Sequence, residues 1–193
     1  MTKAIEIGVP PGLRFTGHAI VSADGMIAAA DGTMPAALRN EADWRQFQAA
    51  LDESVLVVVG RLGHAAHPSR SRRRLVLTSS VAGTARDAND RNALLFNPAG
   101  ASLAAALAQA GVTAGTVAVT GGTRVFDYFL PVLGRFDLAE VNGLTIAGGR
   151  PCFSEGHPRA VLGAAGFLPQ RFGVIDAAAG VTLTEWQRAT SKN

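Results

Sequence analysis

The sequence predicts an α/β domain built around a mostly parallel β-sheet. Short apolar runs rich in β-branched residues, such as residues 55–59, alternate along the chain with segments of helical periodicity, and this alternation is typical of α/β folds. The runs are apolar at every position, as expected of strands covered on both faces. The chain has 193 residues, of which 48% are hydrophobic and 17% charged. That is enough for one domain with a buried core, and it excludes an intrinsically disordered protein.

The N-terminal part of the chain is predicted to hold an arm, a strand and a long loop. Residues 1–12 contain two adjacent prolines and are interpreted as an arm before a single domain over residues 13–193. Residues 13–23 form the first predicted strand, which an Asp-Gly turn signal ends. Residues 24–37 show no clear period and are predicted to be a loop, and loops of this length are often functional.

A helix is predicted over residues 40–51. Asn40 is a plausible N-cap, and acidic residues follow it in the first turn. Trp44, Phe47 and Leu51 recur at helical spacing, so we expect them to form the buried stripe.

Later elements follow from the same signals, with glycine, proline and asparagine marking their ends. The predicted strands are residues 75–78, 93–96, 116–120 and 137–141, the helices are residues 102–110 and 125–133, and the antiparallel hairpin pairs residues 167–175 with 181–186 across 176–180.

Composition excludes several classes of function. One cysteine fits neither a disulfide scaffold nor a zinc ribbon, and it favours a reducing cytosol. No apolar run approaches the roughly 18 residues of a membrane span, and no signal peptide is predicted. His64 and His67 are three residues apart without a clear third ligand, so no metal site is predicted. The net charge of +3 is too small to indicate a nucleic-acid partner.

A glycine turn between a buried strand and a helix is the first candidate binding element. Gly121, Gly122 and Thr123 directly follow residues 116–120. Glycines let a phosphate approach the backbone, and the helix begins with unpaired N–H groups. A tight strand-to-helix turn without a ligand is the alternative interpretation, since the pattern matches neither common nucleotide motif.

Basic and hydroxyl side chains supply further candidates for phosphate binding. Arg61 follows Gly60 at the end of a buried strand, where open α/β sheets bind ligands. Residues 70–74 hold four arginines directly before a strand that ends in Thr78 and Ser79, a combination that suits a phosphate monoester. The alternatives are a surface arginine at 61 and a solvated basic loop or nucleic-acid patch at residues 70–74.

Asp43 is the candidate for acid–base chemistry. It lies four residues before Phe47, on the same helix face, so the carboxyl group is expected beside a half-buried aromatic ring. A desolvated carboxyl group has a raised pKa and can supply a proton. Alternatively, Asp43 serves only the helix N-terminus that Asn40 begins.

Taken in order, these features resemble the dihydrofolate reductase superfamily, which includes dihydrofolate reductase and the reductase domain of the riboflavin-biosynthesis deaminase–reductase. The resemblance covers about residues 17–153 and implies a three-layer sandwich with a central sheet of about eight strands flanked by helices. The matching stretches are residues 19–28, the loop ending at Met34-Pro35, the helix with Asp43 and Phe47, and residues 59–61, 77–80 and 121–126.

The resemblance implies NADPH as the cofactor, bound at the strand ends. Gly60 and Arg61 would open the cofactor-phosphate loop, and Thr78 and Ser79 would surround the adenosine 2′-phosphate with Arg61. The turn at Gly121 would receive the pyrophosphate. The full set of implied cofactor-binding residues is Ala19, Ile27, Gly60, Arg61, Thr78, Ser79, Gly121, Gly122, Thr123, Arg124 and Val125.

The same resemblance implies a reductase that transfers hydride to a pterin (the folate type) or to a ribosylaminouracil phosphate (the riboflavin type). Asp43 would bind the ring and assist protonation, Phe47 would line the pocket, and Arg72 would lie where a folate carboxylate binds. Residues 24–35 would act as a lid. Ala139 falls where dihydrofolate reductases usually carry a threonine that pairs with the acid.

Other interpretations stay open at this point. Ala139 is compatible with a catalytically degenerate protein that binds NADPH in a regulatory role. Nucleic-acid binding through residues 70–74 is disfavoured because no aromatic residues are interleaved. The resemblance allows either a monomer or a homodimer, and the outer strands of the C-terminal hairpin are the candidate contact. A small-molecule substrate is expected as the partner.

Overall fold

A computed structural model describes residues 9–69 and 71–189 of the chain. Most of the predicted arm and Arg70 lie outside these residues. The described part forms eleven strands and five α-helices. In chain order they are β1 (Gly12–Ser22), β2 (Met26–Ala28), α1 (Glu41–Asp52), β3 (Leu56–Gly60), α2 (Arg61–Ala66), β4 (Arg74–Leu77), β5 (Thr84–Arg86), β6 (Ala93–Phe96), α3 (Leu103–Gln109), β7 (Ala114–Val119), α4 (Thr123–Phe129), β8 (Leu133–Val141), β9 (Arg150–Pro151), α5 (Pro158–Ala164), β10 (Phe167–Asp176) and β11 (Val181–Arg188).

Nine of these strands form one sheet in the order β10-β11-β8-β1-β7-β3-β4-β6-β5. The neighbours from β8 to β6 pair in parallel, whereas β10, β11 and β5 pair antiparallel at the two ends. The predicted mostly parallel sheet with an antiparallel C-terminal hairpin is confirmed. The sheet has one strand more than the resemblance implied, because the short segment β5, which lacks an apolar run, folds back against β6.

Helices cover both faces of the sheet, as the fully apolar strands require. In β3, Val58 belongs to the large core cluster with residues of α3 and α4. Its neighbour Val57 points to the other face and packs with Leu51 of α1 and Ala118 of β7. Alternation along a strand therefore divides the core into two layers on either side of the sheet, which gives the three-layer architecture.

Helix α1 begins as predicted, but its buried stripe is shorter. Asn40 Oδ1 accepts hydrogen bonds from the N–H groups of Ala42 at 3.0 Å and Asp43 at 3.1 Å, so Asn40 is the N-cap. Leu51 is buried and Phe47 packs beside it. The prediction for Trp44 is wrong, because its ring is 53% exposed and lies 5.7 Å from the Phe47 ring.

Several elements depart from the sequence-based predictions for local reasons. Helix α2 contains Gly63 and His64 but no apolar stripe, so no helical periodicity marked it. Within predicted loop 24–37, β2 pairs with the distant β9, a contact that local sequence does not reveal. Helix α4 ends before Pro131, since the next three residues form a 3₁₀ turn and β8 begins at Leu133.

Among the described residues, no helix combines the length and the apolar character needed to cross a membrane.

Candidate active site

A cleft of about 1560 Å³ lies along the carboxyl ends of the central parallel strands. Gly60 closes β3, Thr78 follows β4 and Thr120 follows β7, and all three line the cleft. Helix α1 and the loop that contains β2 form its walls. This edge of the sheet is where open α/β folds bind their ligands.

All the residues that the resemblance assigned to the cofactor, the substrate or catalysis line this cleft. They are Ala19, Ile27, Asp43, Phe47, Gly60, Arg61, Arg72, Thr78, Ser79, Gly121, Gly122, Thr123, Arg124 and Val125.

The glycine turn at the end of β7 leaves open space on its cleft side. Gly121 has a φ of +88°, and a Cβ built there would lie 2.5 Å from the Phe126 ring. Gly121 also accepts a hydrogen bond from the Gly60 N–H group at 3.0 Å, which joins the two strand ends. A Cβ on Gly122 would contact only Ile27, at 3.5 Å. At Gly121 the turn is therefore tightly packed against the Phe126 ring, whereas at Gly122 it leaves space beside Ile27 in the cleft.

Thr123 is partly committed to the protein. Its hydroxyl donates to the carbonyl oxygen of Pro151 in β9, which ties the start of α4 to the loop region. The hydroxyl proton is therefore committed to Pro151, whereas the hydroxyl oxygen can still accept a hydrogen bond.

Two cationic side chains of the cleft are free to meet a phosphate. Neither Arg61 nor Arg124 forms an ion pair with any residue that the structure describes, and both are exposed. Thr78 is held in place, because its hydroxyl donates to Ser80 Oγ at 2.9 Å and accepts from the Ser80 N–H group at 3.1 Å. Exposed arginines beside a fixed hydroxyl suit a phosphate monoester.

The arginines before β4 do not converge on one site, which corrects the expectation of a single phosphate-binding cluster. Arg72 donates to Asp52 Oδ1 at 2.5 and 3.0 Å and to Gln48 Oε1 at 2.9 Å. Arg74 is buried in β4 and contacts His64 Nδ1 at 3.1 Å. These arginines lie at the amino end of β4, whereas Thr78 follows its carboxyl end. Arg72 contacts residues of α1 and Arg74 contacts α2, so their side chains do not meet at one phosphate.

Asp43 faces the cleft from the first turn of α1. Burial raises the pKa of its carboxyl group from an ordinary 3.8 to about 6, and its carboxylate has no hydrogen-bond or ion-pair partner among the described residues. Asn40 supplies the cap of this helix, so the helix does not need Asp43 for that purpose. A carboxyl group of this kind exchanges a proton near neutral pH.

Ala139 does not face the cleft. It is fully buried and packs with Ile20 and Leu38 in a separate core cluster. The β8 residues that line the cleft are Arg135 and Asp137. Ala139 therefore offers no group to the cleft, and no described residue at this position pairs with the Asp43 carboxyl group.

Sequence reasoning missed a polar row across three neighbouring strands. His18 of β1 lies opposite Asp137 of β8 in the sheet register, and Asp137 lies opposite Glu185 of β11. All three line the cleft. Each side chain looks like an isolated polar residue in its own strand, and only the strand order brings them together.

The predicted lid is tied to the segment that follows β8. Asp24 accepts from Ser22 Oγ at 2.5 Å and from the Ile146 N–H group at 3.1 Å. The hydrogen bond from Ser22 is the main cause that lowers the pKa of Asp24. Arg150 donates to the carbonyl oxygen of Ala30 at 3.1 Å. These contacts hold the loop over the cleft, where Ile27 and Met34 line it.

The described residues contain no group of three or more histidine, cysteine, aspartate or glutamate side chains that could hold a metal ion. His64 instead lies between Asp87 and Arg74, at 3.1 Å from each.

Comparison with solved structures shows a dihydrofolate reductase-like fold. A protein assigned to riboflavin biosynthesis from Shewanella sp. PV-4 superposes with a TM-score of 0.64 at 16% identity, over 92% of this chain and 99% of its own. Dihydrofolate reductase from Enterococcus faecalis, solved with NADP(H) and RAB-propyl, gives a TM-score of 0.65 at 18% identity, over 92% and 97%.

A bifunctional diaminohydroxyphosphoribosylaminopyrimidine deaminase and 5-amino-6-(5-phosphoribosylamino)uracil reductase from Thermotoga maritima gives a TM-score of 0.63 at 16% identity. The match covers 91% of this chain but 56% of that protein. No protein-family model and no curated protein matches the chain. The fold that the sequence resemblance predicted is therefore confirmed by structure.

Proposed function

We propose that this chain, which has the dihydrofolate reductase-like fold, is an NADPH-dependent reductase of a pterin or of a ribosylaminouracil phosphate. The observation that carries the proposal is Asp43, an unpaired and half-desolvated carboxyl group in the cleft that the fold uses for its ligands. The neighbours named above are reductases of these two kinds, or a riboflavin-biosynthesis protein, and one of them was solved with NADP(H).

The residues of the cleft fit the cofactor. A Cβ on Gly121 would clash with its surroundings, and the open side of Gly122 leaves room for a pyrophosphate to approach the backbone. Arg61 would hold the adenosine 2′-phosphate together with Thr78 and Ser79, since its guanidinium group has no partner in the protein. NADPH supplies the hydride when bound, and the protein positions it and excludes water.

At the other end of the cleft, Asp43 would bind the substrate ring and hold the proton that reduction of an imine requires. Phe47 lies one helical turn further on and offers an apolar face to the ring. Arg72 is already held by Asp52 and Gln48, so a substrate carboxylate or phosphate would meet an arginine of fixed orientation.

Cofactor titration tests the proposal. We expect NADPH to bind at micromolar concentration and NADH at least about tenfold more weakly, because only NADPH carries the 2′-phosphate that Arg61 would contact. The Arg61→Ala variant should lose most of this preference, whereas Arg14→Ala, an exposed arginine outside the cleft, should keep it. Binding of neither nucleotide below millimolar concentration contradicts the proposal, and tighter binding of NADH refutes the role of Arg61.

A catalytically degenerate NADPH-binding protein is the alternative that Ala139 raised. The alanine at position 139 carries no hydroxyl group to pair with the acid, and this is the observation that favours the alternative. This alternative predicts NADPH binding without turnover of any pterin or pyrimidine, so a turnover assay separates the two.

We also propose that two copies of the chain associate through β10. This edge strand exposes Leu168, Phe172 and Val174 at 55%, 66% and 60%, and its outer edge lacks a strand partner in the described sheet. Exposed apolar edge strands of this kind pair readily. Sedimentation should show a dimer that Phe172→Asp converts to a monomer, and a monomeric parent protein at high concentration contradicts the proposal.

A cytosolic location, favoured by the single cysteine, stays a prediction.

A further inference from the structure

The strongest polar feature outside the predicted site is the row of His18, Asp137 and Glu185 at the substrate end of the cleft. The imidazole of His18 is 9% exposed and lines the cleft, and its ring lies edge-on to Phe47 with the centroids 6.2 Å apart. Phe47 is one turn from Asp43 on α1. His18 and Asp43 therefore border the same end of the cleft from opposite sides, one from the sheet and one from the helix.

The two carboxylates of this row are paired with arginines, Asp137 with Arg135 and Glu185 with both Arg135 and the exposed Arg171, whose Nη1 lies 3.9 Å from Glu185 Oε1. Arg135 donates to Asp137 Oδ1 at 2.7 Å and to Asp137 Oδ2 at 3.1 Å, and its other side lies 3.4 Å from Glu185. Because two carboxylates hold Arg135, it is not a free cation for a substrate phosphate. Arg135 holds Asp137 through both carboxylate oxygens, which fixes the orientation of this carboxylate beside His18.

Asp137 biases which nitrogen of His18 carries the proton. Nδ1 of His18 lies 3.3 Å from Asp137 Oδ2, and a carboxylate oxygen at this distance favours the neutral tautomer with the proton on Nδ1, since the alternative would set a nitrogen lone pair against it. Burial, the largest effect, and nearby Arg135 lower the pKa of His18, whereas Asp137 raises it. With Nδ1 protonated, Nε2 is a hydrogen-bond acceptor.

Nε2 is also available. It has no hydrogen-bond partner among the described residues, and it is not one of the sealed, unpartnered polar atoms of the described chain, which are Arg74 Nε and Trp186 Nε1. The acceptor is therefore reachable from the cleft. A buried acceptor without a partner selects for a ligand that brings a donor, because a ligand without one leaves it unpaired.

We propose that His18 is a specificity-determining residue whose Nε2 accepts a hydrogen bond from an N–H group of the substrate ring, opposite Asp43, so that the site selects amino-substituted pteridines or pyrimidines. This inference rests on the proposed reductase function, since it assigns a residue in the substrate half of the same cleft. The substrate end is thus lined by acceptors from two sides, and a donor-rich heterocycle complements it.

Two substitutions separate recognition from structure. His18→Asn keeps a polar atom near the position of Nδ1, beside Asp137, and removes the acceptor at the position of Nε2. His18→Gln does the reverse, because its longer side chain reaches the position of Nε2. The probes are 2,4-diaminopteridine and 2,4-dimethylpteridine, which differ in their N–H donors, and each is titrated against the NADPH-loaded protein.

We expect His18→Asn to weaken binding of 2,4-diaminopteridine by about tenfold and His18→Gln to change it by less than about threefold. Neither variant should change binding of the dimethyl analogue or of NADPH. A purely structural role of the contact with Asp137 predicts the opposite order, with Gln worse than Asn, and that order overturns the inference. Equal binding of 2,4-diaminopteridine by the parent protein and His18→Asn overturns it as well.

These failures differ from a failure of the proposed function. If the parent protein binds neither NADPH nor any pteridine, the reductase proposal falls. If the parent protein binds both and His18→Asn binds the probe equally well, only the role of His18 falls.

Discussion

Replacing Asp43 with asparagine should abolish turnover and at the same time make the protein more stable at neutral pH. Asparagine cannot supply the proton that the reduced ring needs, and proton donors of this kind contribute a rate factor of about a hundred or more. Binding of NADPH should be unchanged, since Asp43 lies at the other end of the cleft.

The stability effect follows from the sign of the pKa change. Burial raises the pKa of Asp43 from 3.8 to about 6, so the folded protein binds more protons than the unfolded chain in this interval and loses stability as the pH rises through it. The charged carboxyl group thus costs at most about 3 kcal/mol above pH 6. The charged carboxylate also interacts favourably with the N-terminus of α1, and Asp43→Asn removes that interaction. This loss reduces the expected gain in stability by about 0.3–1 kcal/mol.

We therefore expect Asp43→Asn to raise the free energy of unfolding by about 1–2 kcal/mol at pH 7 and by little at pH 3.5, where the carboxyl group is mostly protonated in both states. Urea unfolding at the two pH values measures it. Glu41→Gln is the matched control, because Glu41 is an exposed carboxylate in the same helical turn. Unchanged turnover in Asp43→Asn would show that the Asp43 carboxyl group is not the proton donor.

Substituting alanine at Gly121 should damage both folding and cofactor binding, whereas the same change at Gly122 should damage binding alone. A Cβ on Gly121 would meet the buried Phe126 ring at 2.5 Å, and the φ of +88° disfavours any side chain. Strain and overpacking together cost about 2–4 kcal/mol. A displaced turn would also move the Gly60 end of β3, to which Gly121 is hydrogen bonded.

At Gly122 the φ is −71°, and an added methyl group makes only ordinary contact with Ile27. The stability of Gly122→Ala should therefore stay within about 0.5 kcal/mol of the parent protein. The methyl group faces the cleft, so NADPH should bind at least about tenfold more weakly. Thermal unfolding and NADPH titration of both variants check the prediction, and normal NADPH binding by Gly122→Ala would show that the cofactor does not pass over this turn.

The central sheet was predictable because its strands are buried on both faces. A short run that is apolar at every position, such as β3, is most stable as a strand covered on both faces of a sheet. The glycines and prolines around it mark its ends. Helix α1 was predictable from the cap at Asn40, but its orientation was not. The exposed ring of Trp44 lies one turn from Phe47 at the mouth of the cleft, and periodicity alone cannot separate a residue that lines a cleft from one that lines a core.

The candidate site likewise has a part that was predictable from the sequence and a part that was not. Asp43 and the turn at Gly121 were predictable because their neighbours in sequence are also their neighbours in space. The row of His18, Asp137 and Glu185 was not, because it depends on β8 lying between β1 and β11 in the sheet. The arginines before β4 show the opposite error: they are adjacent in sequence, but Arg72 and Arg74 are held by different partners.

Oxidation of NADPH by the purified protein, followed with 7,8-dihydrofolate and with ribosylaminouracil 5′-phosphate, tests the reductase proposal most directly. We expect NADPH to be consumed with one of the two substrates and not in their absence, and Asp43→Asn to lose this consumption while still binding the cofactor. NADPH that binds tightly but is consumed with neither substrate would contradict the proposal and favour a regulatory NADPH-binding protein.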